Sequence, residues 1–214
     1  MFEDRSDAGR QLAERLAALK LQDPVVYALP RGGVPVAVEV AKRLQAPLDL
    51  VLVRKIGAPG YPEVAMGAVV DGEDAQTIIN EDVFAATGSD AAGLERARRS
   101  ELAEIERRRA RYLGDRPRVS PRGRVAIIVD DGLATGATAK AALAAVKRQG
   151  AARTVLAVPV APADSVQEMR LLADDYVVLH TPAQFWAIGP FYDDFHQLSD
   201  EETVGLLSEA WSES

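Results

Sequence analysis

Apolar runs alternate along the chain with amphipathic stretches, and this alternation predicts an α/β protein. Short apolar runs rich in β-branched residues are typical of strands that are buried on both faces of a parallel sheet. Such strands are predicted over residues 25–29, 48–53, 125–129, 154–160 and 176–179. Helices with one apolar face are predicted over 7–20, 34–44, 139–149, 165–172 and 199–211. We therefore expect a mainly parallel twisted sheet flanked by helices.

The middle of the chain departs from this alternation. Two further strands are predicted over 64–70 and 77–79 around an Asp71-Gly72 turn, and a long charged helix follows over 94–113. We expect one domain that carries a helical insertion; the predicted bounds are 1–214 for the domain and 72–118 for the insertion.

Composition and charge exclude several classes of protein. A hydrophobic content of 48% is ample for a core, and the net charge of −7 argues against a nucleic acid as the partner. The absence of cysteine excludes disulfides and thiolate zinc sites. No apolar run approaches the roughly 18 residues of a membrane span, and the first residues lack the features of a signal peptide. We therefore expect a soluble, cytoplasmic protein that does not engage a membrane.

The strongest chemical signal follows the strand predicted over 125–129. Asp130 and Asp131 come directly after it, and a loop of small residues then leads into a helix. A loop of this kind leaves backbone N–H groups unpaired at a helix N-terminus, which is an anion site that phosphate commonly occupies. The two carboxylates can accept hydrogen bonds from sugar hydroxyls or hold a divalent cation. The stretch predicts a site for ribose 5-phosphate; the alternative is an acidic turn before a helix capped by Thr138.

Residues 127–138 resemble the signature of type I phosphoribosyltransferases, which is an apolar strand, two acids, a short loop and Thr-Gly-x-Thr. The resemblance covers roughly residues 25–60 and 120–196, in the order that the family has. It implies the type I phosphoribosyltransferase fold, Mg²⁺ as cofactor and 5-phosphoribosyl pyrophosphate as donor. It implies that Asp130 and Asp131 bind the ribose and the metal. It also implies a phosphate-binding loop made of Ala134, Thr135, Gly136, Ala137 and Thr138.

Two cationic stretches are candidates for binding the pyrophosphate of such a donor. Arg31, Gly32 and Gly33 follow the first strand, where glycines let the backbone approach an anion and an arginine donates to phosphate oxygens. The resemblance makes this the pyrophosphate loop and implies a cis peptide bond at Arg31-Gly32. Arg54 and Lys55 directly follow the strand predicted over 48–53, so we expect them beside the other loops at the carboxyl ends of the strands. The alternatives are a simple turn and solvated charges.

An aromatic segment near the C-terminus is a candidate acceptor site. Phe185 and Trp186 are predicted to stack on a flat heterocycle, and the alternative is aromatic packing beneath a cap. The segment resembles the hood of hypoxanthine–guanine phosphoribosyltransferases, which implies a hood segment over 181–214 completed by part of the N-terminus. The same resemblance implies a metal-binding role for Asp193, although its spacing from Phe185 is one residue longer here.

Two positions depart from the hypoxanthine–guanine enzymes and leave the acceptor unnamed. Ala134 stands where those enzymes place an aspartate as the base, and no lysine lies near Val160 to bind a 6-oxo group. Adenine phosphoribosyltransferases also have alanine at the first position, so the departure does not exclude catalysis. His180 and His196 are expected to be structural or solvated.

We expect a magnesium-dependent enzyme that transfers ribose 5-phosphate to a nitrogen of a nucleobase-like acceptor and releases pyrophosphate. Arg31, Asp130 and Asp131 are the predicted catalytic residues, and a homodimer is the expected assembly. Two alternatives stay open. One is a non-catalytic sensor that binds the same donor or a nucleotide. The other is an RNA-binding regulator, which rests on the excess of arginine over acids in residues 94–124.

Overall fold

Five parallel strands and a separate three-stranded antiparallel sheet organise the molecule in a computed structural model that describes residues 1–58, 61–72, 75–88 and 90–212, with only the backbone at 61–63. The Pro59-Gly60 end of the predicted cationic loop lies outside the described residues. So do positions 73, 74 and 89 of the predicted insertion and positions 213 and 214 of the predicted hood. Within the described ranges, no helix combines the length and the apolar character that crossing a bilayer requires.

The helices and strands follow the predicted order with small shifts at their ends. The strands are β1 (Pro24–Ala28), β2 (Leu48–Leu50), β3 (Val53–Ala58), β4 (Tyr61–Val70), β5 (Gln76–Ile79), β6 (Val125–Val129), β7 (Arg153–Val160) and β8 (Asp175–His180). The helices are α1 (Arg5–Ala17), α2 (Gly33–Leu44), α3 (Glu81–Ala86), α4 (Ala91–Leu113), α5 (Ala137–Arg148), α6 (Ala163–Leu172) and α7 (Asp200–Ser212). The short helix α3 was not predicted.

The central sheet has the strand order β2-β1-β6-β7-β8, and all its neighbours pair in parallel. Strand β6, which precedes the two aspartates, lies in the middle of this sheet. Its two neighbours in the sheet, β1 and β7, both pair with it along all of its residues, 125–129. The predicted α/β class and mainly parallel sheet are confirmed. The carboxyl ends of β1 and β6 meet at one edge, where ligands bind in open α/β sheets.

Alternate residues of the central strands fill two hydrophobic layers. Ile127 packs in the layer that contains α1, α2 and α7, whereas Ile128 packs in the layer that contains α5 and α6. Both side chains are fully buried, as a strand covered on both faces requires. The loop that follows β6 therefore starts from a strand that cannot shift without exposing residues of both hydrophobic layers to water.

The prediction of a single strand over 48–53 is wrong in one respect, because these residues divide between two sheets. The parallel pairing of β2 with β1 ends where Val51 N–H donates to Ala28 O, at 3.0 Å. Val53 then pairs with Val70 in the antiparallel sheet of β3, β4 and β5. Arg54 and Lys55 consequently lie inside β3 and not in a loop at a strand end. The cause is long-range: the backbone of residues 53–58 finds its hydrogen bonds in β4.

Helix α4 of the insertion is fastened to the domain by a buried charge cluster. Arg109 places Nη1 2.7 Å from Asp71 Oδ2 and Nη2 3.1 Å from Asp49 Oδ1, and all three residues are at least nine-tenths buried. Arg118 also contacts Asp71, and Val119 N–H donates to Asp49 Oδ2 at 2.8 Å. Each carboxylate therefore has several partners, as a buried charge needs.

The N-terminus packs against the segment that follows β8. Phe2 forms a parallel bridge with Tyr192, and its ring is fully buried against Tyr192 and Ala8. Phe2 N–H donates to Phe191 O at 2.9 Å, and Asp193 N–H donates to Phe2 O at 2.9 Å. The first residues of the chain and residues 191–193 thus form one unit.

Replacing Arg109 by Met should destabilise the fold, because it leaves Asp49 and Asp71 buried without their main cation. We expect a loss of about 3–5 kcal/mol in the free energy of unfolding, measured by urea denaturation at pH 7. Arg107→Met on the same helix is the control, since Arg107 pairs with Glu104 at the surface. It should cost less than about 1 kcal/mol. Equal losses for the two variants would contradict the role assigned to the buried cluster.

Candidate functional site

The loop between β6 and α5 is held open by its surroundings. Leu133 is buried and its N–H donates to Val160 O at 2.9 Å, which ties the loop to the end of β7. Ser165 Oγ donates to Ala134 O at 2.9 Å. Gly136 is the N-cap of α5 with a φ of 69°, a left-handed conformation that glycine adopts without the steric cost of a side chain. These contacts hold the loop through the Leu133 N–H group and the Ala134 carbonyl group.

The amides of residues 134–138 are the candidate anion-binding groups of this loop. Within the described part of the chain, none of these five N–H groups donates to a protein acceptor. Ala134, Thr135 and Ala137 are exposed, so the amides are accessible to a ligand. Unpaired amides in the first turn of a helix form an anion site that the helix dipole strengthens. The arrangement can hold a phosphate group.

The two acids that precede this loop lie in different environments. Asp130 is half-buried, and its Oδ1 accepts a hydrogen bond from Asp131 N–H at 2.9 Å. Asp131 is buried, and Arg5 Nε donates to its Oδ2 at 2.8 Å. Tyr192 OH donates to the backbone carbonyl of Asp131 at 2.6 Å. Asp130 is therefore the more open of the two carboxylates.

Burial governs the protonation of this pair. Burial and the neighbouring charge of Asp131 raise the pKa of Asp130 well above its ordinary value. Burial also raises the pKa of Asp131, and the hydrogen bond from Arg5 opposes that rise. A cation or a hydrogen-bond donor that reaches Asp130 would favour its ionised form. The ionised form of the acidic pair would therefore be stabilised by a bound cation or by a hydrogen-bond donor such as a sugar hydroxyl.

The loop after β1 crosses directly against the loop after β6. Leu29 N–H donates to Val129 O at 2.9 Å, which brings the two strand ends together. A side chain at Gly32 would overlap the Asp131 carboxylate, so only glycine allows that carboxylate its position. Gly32 is therefore needed for the packing of Asp131, as well as for any close approach of the backbone to a ligand.

The cis peptide bond of this loop lies one residue earlier than expected. It joins Pro30 to Arg31, and the predicted position at Arg31-Gly32 is wrong. Gly32 already has helical dihedral angles as the N-cap of α2, and Gly33 N–H donates to Leu29 O at 3.0 Å. The irregular part of the loop therefore ends before Gly32.

Two of the three predicted pyrophosphate-binding cations, Arg31 and Arg54, have carboxylate partners in this structure. Arg54 Nε lies 2.8 Å from Glu101 Oε2 of α4. Arg31 Nη1 lies 3.7 Å from Asp200 Oδ1, at the start of α7. Lys55 is exposed, and it follows Arg54 in a strand, where successive side chains point to opposite faces. Binding of pyrophosphate by these three residues stays a prediction, and it requires Arg31 and Arg54 to exchange partners.

The two predicted stacking residues of the aromatic segment differ in how far they are exposed. Phe185 stacks on Phe191 with ring centroids 6.0 Å apart, whereas Trp186 is 90% exposed. Trp186 is free to cover a flat ligand, and the stacking roles of both residues stay predictions. Asp193 is exposed and follows Tyr192 in extended backbone, so its side chain points away from the side that Tyr192 presents to Asp131. Its metal role also stays a prediction.

The donor set suits a metal that a substrate helps to bind. The described residues contain no group of three or more acidic, histidine or cysteine side chains arranged around one point. Mg²⁺ commonly keeps several waters and binds through one or two carboxylates together with substrate phosphates. Asp130, which is half-buried and lies beside the anion loop, fits that mode.

Sequence reasoning missed two residues that shape the site. Arg5 was placed outside the predicted first helix, yet it is the cation that contacts Asp131. Tyr192 was given no role, yet its hydroxyl donates to the Asp131 carbonyl. No local pattern marks either residue, because their partners lie far away in the sequence.

The chain resembles known proteins over nearly its whole length. A family model described as "Phosphoribosyl transferase domain" matches residues 4–196. "Putative phosphoribosyl transferase Rv0571c" of Mycobacterium tuberculosis is 52% identical over 210 residues, which cover 98% of this chain and 47% of that protein. This chain thus spans about half the length of the curated relatives it matches. The crystal structure of TT1426 from Thermus thermophilus is 44% identical with a TM-score of 0.84, and the match covers 98% of both chains.

His196 should contribute stability that depends on pH. Its Nδ1 lies 3.0 Å from Asp194 Oδ1 and its Nε2 3.2 Å from Glu202 Oε1, and these contacts raise the pKa of His196 above its usual 6.5. Its stabilising charge is therefore fully present below about pH 6.5 and is lost as pH rises through the folded-state pKa. His196→Gln should lower the Tm at pH 6 and leave it unchanged at pH 9, measured by circular dichroism. The same decrease at both values would refute the ion-pair account.

Proposed function

The chain belongs to the phosphoribosyl transferase domain family, and on that premise we propose that it transfers ribose 5-phosphate from 5-phosphoribosyl pyrophosphate to a nitrogen of a nucleobase-like acceptor. The observation that carries this proposal is the row of open amides at residues 134–138 directly after Asp130 and Asp131. It offers an anion site and hydroxyl acceptors a few residues apart on one rigid strand end. A ribose 5-phosphate presents the complementary groups.

The 5-phosphate end of the donor would lie on the loop. The amides of Ala134, Thr135, Gly136, Ala137 and Thr138 would donate to its oxygens at the N-terminus of α5. At the other end, the acidic pair would accept hydrogen bonds from the ribose hydroxyls. Holding both ends fixes C1 of the ribose relative to the loop after β1, and such positioning is a large part of catalysis for bound substrates.

The pyrophosphate would lie between the loop after β1 and strand β3. Gly32 and Gly33 let the backbone approach it, and Arg31, Arg54 and Lys55 would stabilise the charge that grows as the C1–O bond breaks. Asp130, with the acidic pair as a whole, would help to hold Mg²⁺. When bound, this ion neutralises charge on the departing pyrophosphate. The acceptor nitrogen then bonds to C1, and pyrophosphate leaves.

The acceptor site would lie beneath the aromatic segment. Trp186, which is 90% exposed, can cover a planar ring, and Phe185 is partly exposed beside it. Ala134 supplies no carboxylate to remove a proton from the acceptor. We therefore propose an acceptor that loses its proton to water or to the departing pyrophosphate.

A second candidate is a sensor that binds the same donor or a nucleotide without turnover. Ala134 favours it, because a sensor needs no carboxylate there to remove a proton from an acceptor. The two functions differ in one measurement. An enzyme releases pyrophosphate when it is mixed with donor, Mg²⁺ and one member of a panel of nucleobases and related heterocycles. A sensor binds the donor tightly and releases none with any member.

Replacing both acids by amides should remove donor binding. We expect Asp130→Asn combined with Asp131→Asn to weaken binding of 5-phosphoribosyl pyrophosphate by about 10-fold or more, since hydrogen bonds to charged groups are lost. Isothermal titration calorimetry with Mg²⁺ present measures this. Asp115→Asn, at an exposed position outside the site, is the control and should bind as the unmodified protein does. Unchanged affinity in the double variant would end the proposal.

Freeing Arg54 should strengthen pyrophosphate binding. Glu101→Gln removes the carboxylate that lies 2.8 Å from Arg54, and we expect inorganic pyrophosphate to bind about 2- to 5-fold more tightly. Glu104→Gln on the same helix is the control, because Glu104 pairs with Arg107 and Arg108 and not with Arg54. If the two variants bind pyrophosphate equally, Arg54 has no part in the site.

A further inference from the structure

The two adjacent acids differ in what surrounds their carboxylates. The Asp131 side chain is 11% exposed, and its carboxylate lies against Gly32 on one side and Arg5 on the other. Asp130 is half-buried, and its Oδ1 accepts a hydrogen bond from the N–H of Asp131. Asp131 is thus the acid whose carboxylate position Arg5 can determine.

Arg5 is itself held by three groups. Its Nε donates to Asp131 Oδ2 at 2.8 Å, and its Nη1 donates to His196 O at 3.0 Å. Its guanidinium carbon lies 3.9 Å from the centre of the Phe195 ring, which is a cation–π contact. The side chain is 9% exposed. A guanidinium used in this way is not available to a ligand, and its planar fork fixes the carboxylate that it contacts.

The backbone around Asp131 is held from the same side. Tyr192 OH donates to Asp131 O at 2.6 Å, and Tyr192 is itself paired with Phe2 at the start of the chain. Asp194 N–H donates to Glu3 O at 2.9 Å, which continues this pairing. The N-terminal segment 2–5 and residues 191–196 thus form a clamp on Asp131, and Arg5 is the residue of the clamp that reaches its carboxylate.

We infer that Arg5 is a positioning residue of the donor site and that it acts through Asp131. By holding the Asp131 carboxylate at the start of the loop, Arg5 keeps the acidic pair and the amides of 134–138 at the spacing of a ribose 5-phosphate. This inference rests on the proposed function, and it adds a residue that the proposal does not contain.

A double-mutant cycle between Arg5 and Asp131 tests whether Arg5 acts through Asp131. The proteins are the unmodified chain, Arg5→Met, Asp131→Asn and the double variant, each titrated calorimetrically with 5-phosphoribosyl pyrophosphate and Mg²⁺. We expect each single variant to lose about 10-fold in affinity, the usual scale for a residue that orients a ligand-binding group. The double variant should be no weaker than Asp131→Asn alone, because Arg5 acts through the Asp131 carboxylate.

Inorganic phosphate is the second probe, because it can bind the anion loop without a sugar that contacts the acidic pair. It should bind all four proteins equally, since Arg5 acts on the sugar end and does not form the loop. Arg5→Lys keeps the charge but cannot contact Asp131 and His196 O together, so its donor affinity should be intermediate. This variant also serves if Arg5→Met fails to fold. Arg10→Met, one to two turns along α1 at an exposed position, is the control and should bind the donor normally.

Three results would overturn the inference. One is donor affinity that is unchanged or tighter in Arg5→Met. Another is an Asp131→Asn change that costs as much in the Arg5→Met background as it does alone, which would mean that Arg5 and Asp131 act independently. The third is loss of inorganic phosphate binding in Arg5→Met, which would make Arg5 a support of the whole loop. If the unmodified protein itself does not bind the donor, the proposed function fails.

Discussion

The close crossing of two loops at the carboxyl ends of β1 and β6 is the constraint on which the site depends. The hydrogen bond from Leu29 N–H to Val129 O, at 2.9 Å, joins the two strand ends. A Cβ at Gly33 would lie only 2.6 Å from Val129 O, so the chain can pass there only without a side chain. This crossing places the open amides, the acidic pair and Arg31 at one edge of the sheet. Without it, the same residues would be separate surface features.

Charged residues connect that edge to the outer parts of the molecule. Arg5 brings the N-terminus to Asp131, and Arg54 and Arg31 meet carboxylates of α4 and α7. Each of these pairs joins segments that are distant in the sequence. The arginine-rich insertion is likewise paired largely within the chain; its internal contacts include Arg99 with Glu95 and Arg108 with Glu104. These pairs reduce the positive surface that an RNA-binding interpretation requires.

The sequence predicted the parts of the fold that local patterns determine. The strand over 125–129, its loop and the helix after it were recognisable because a buried strand, two acids and small residues stand together in the chain. The division of residues 48–53 between two sheets was not recognisable, since residues 53–58 form their strand hydrogen bonds with β4. Arg5 and Arg109 were missed for a related reason. A charged residue on a helix is usually solvated, and only its distant partners, Asp131, Asp49 and Asp71, show that it is buried.

A crystal structure of the protein with ribose 5-phosphate bound would test the central claim most directly. The account predicts phosphate oxygens within hydrogen-bond distance of the amides of residues 134–138, and a ribose hydroxyl within reach of the Asp130 carboxylate. It also predicts that the contact between Arg5 and Asp131 is retained. A loop that stays empty at saturating sugar phosphate, or a sugar phosphate bound elsewhere on the molecule, would contradict it.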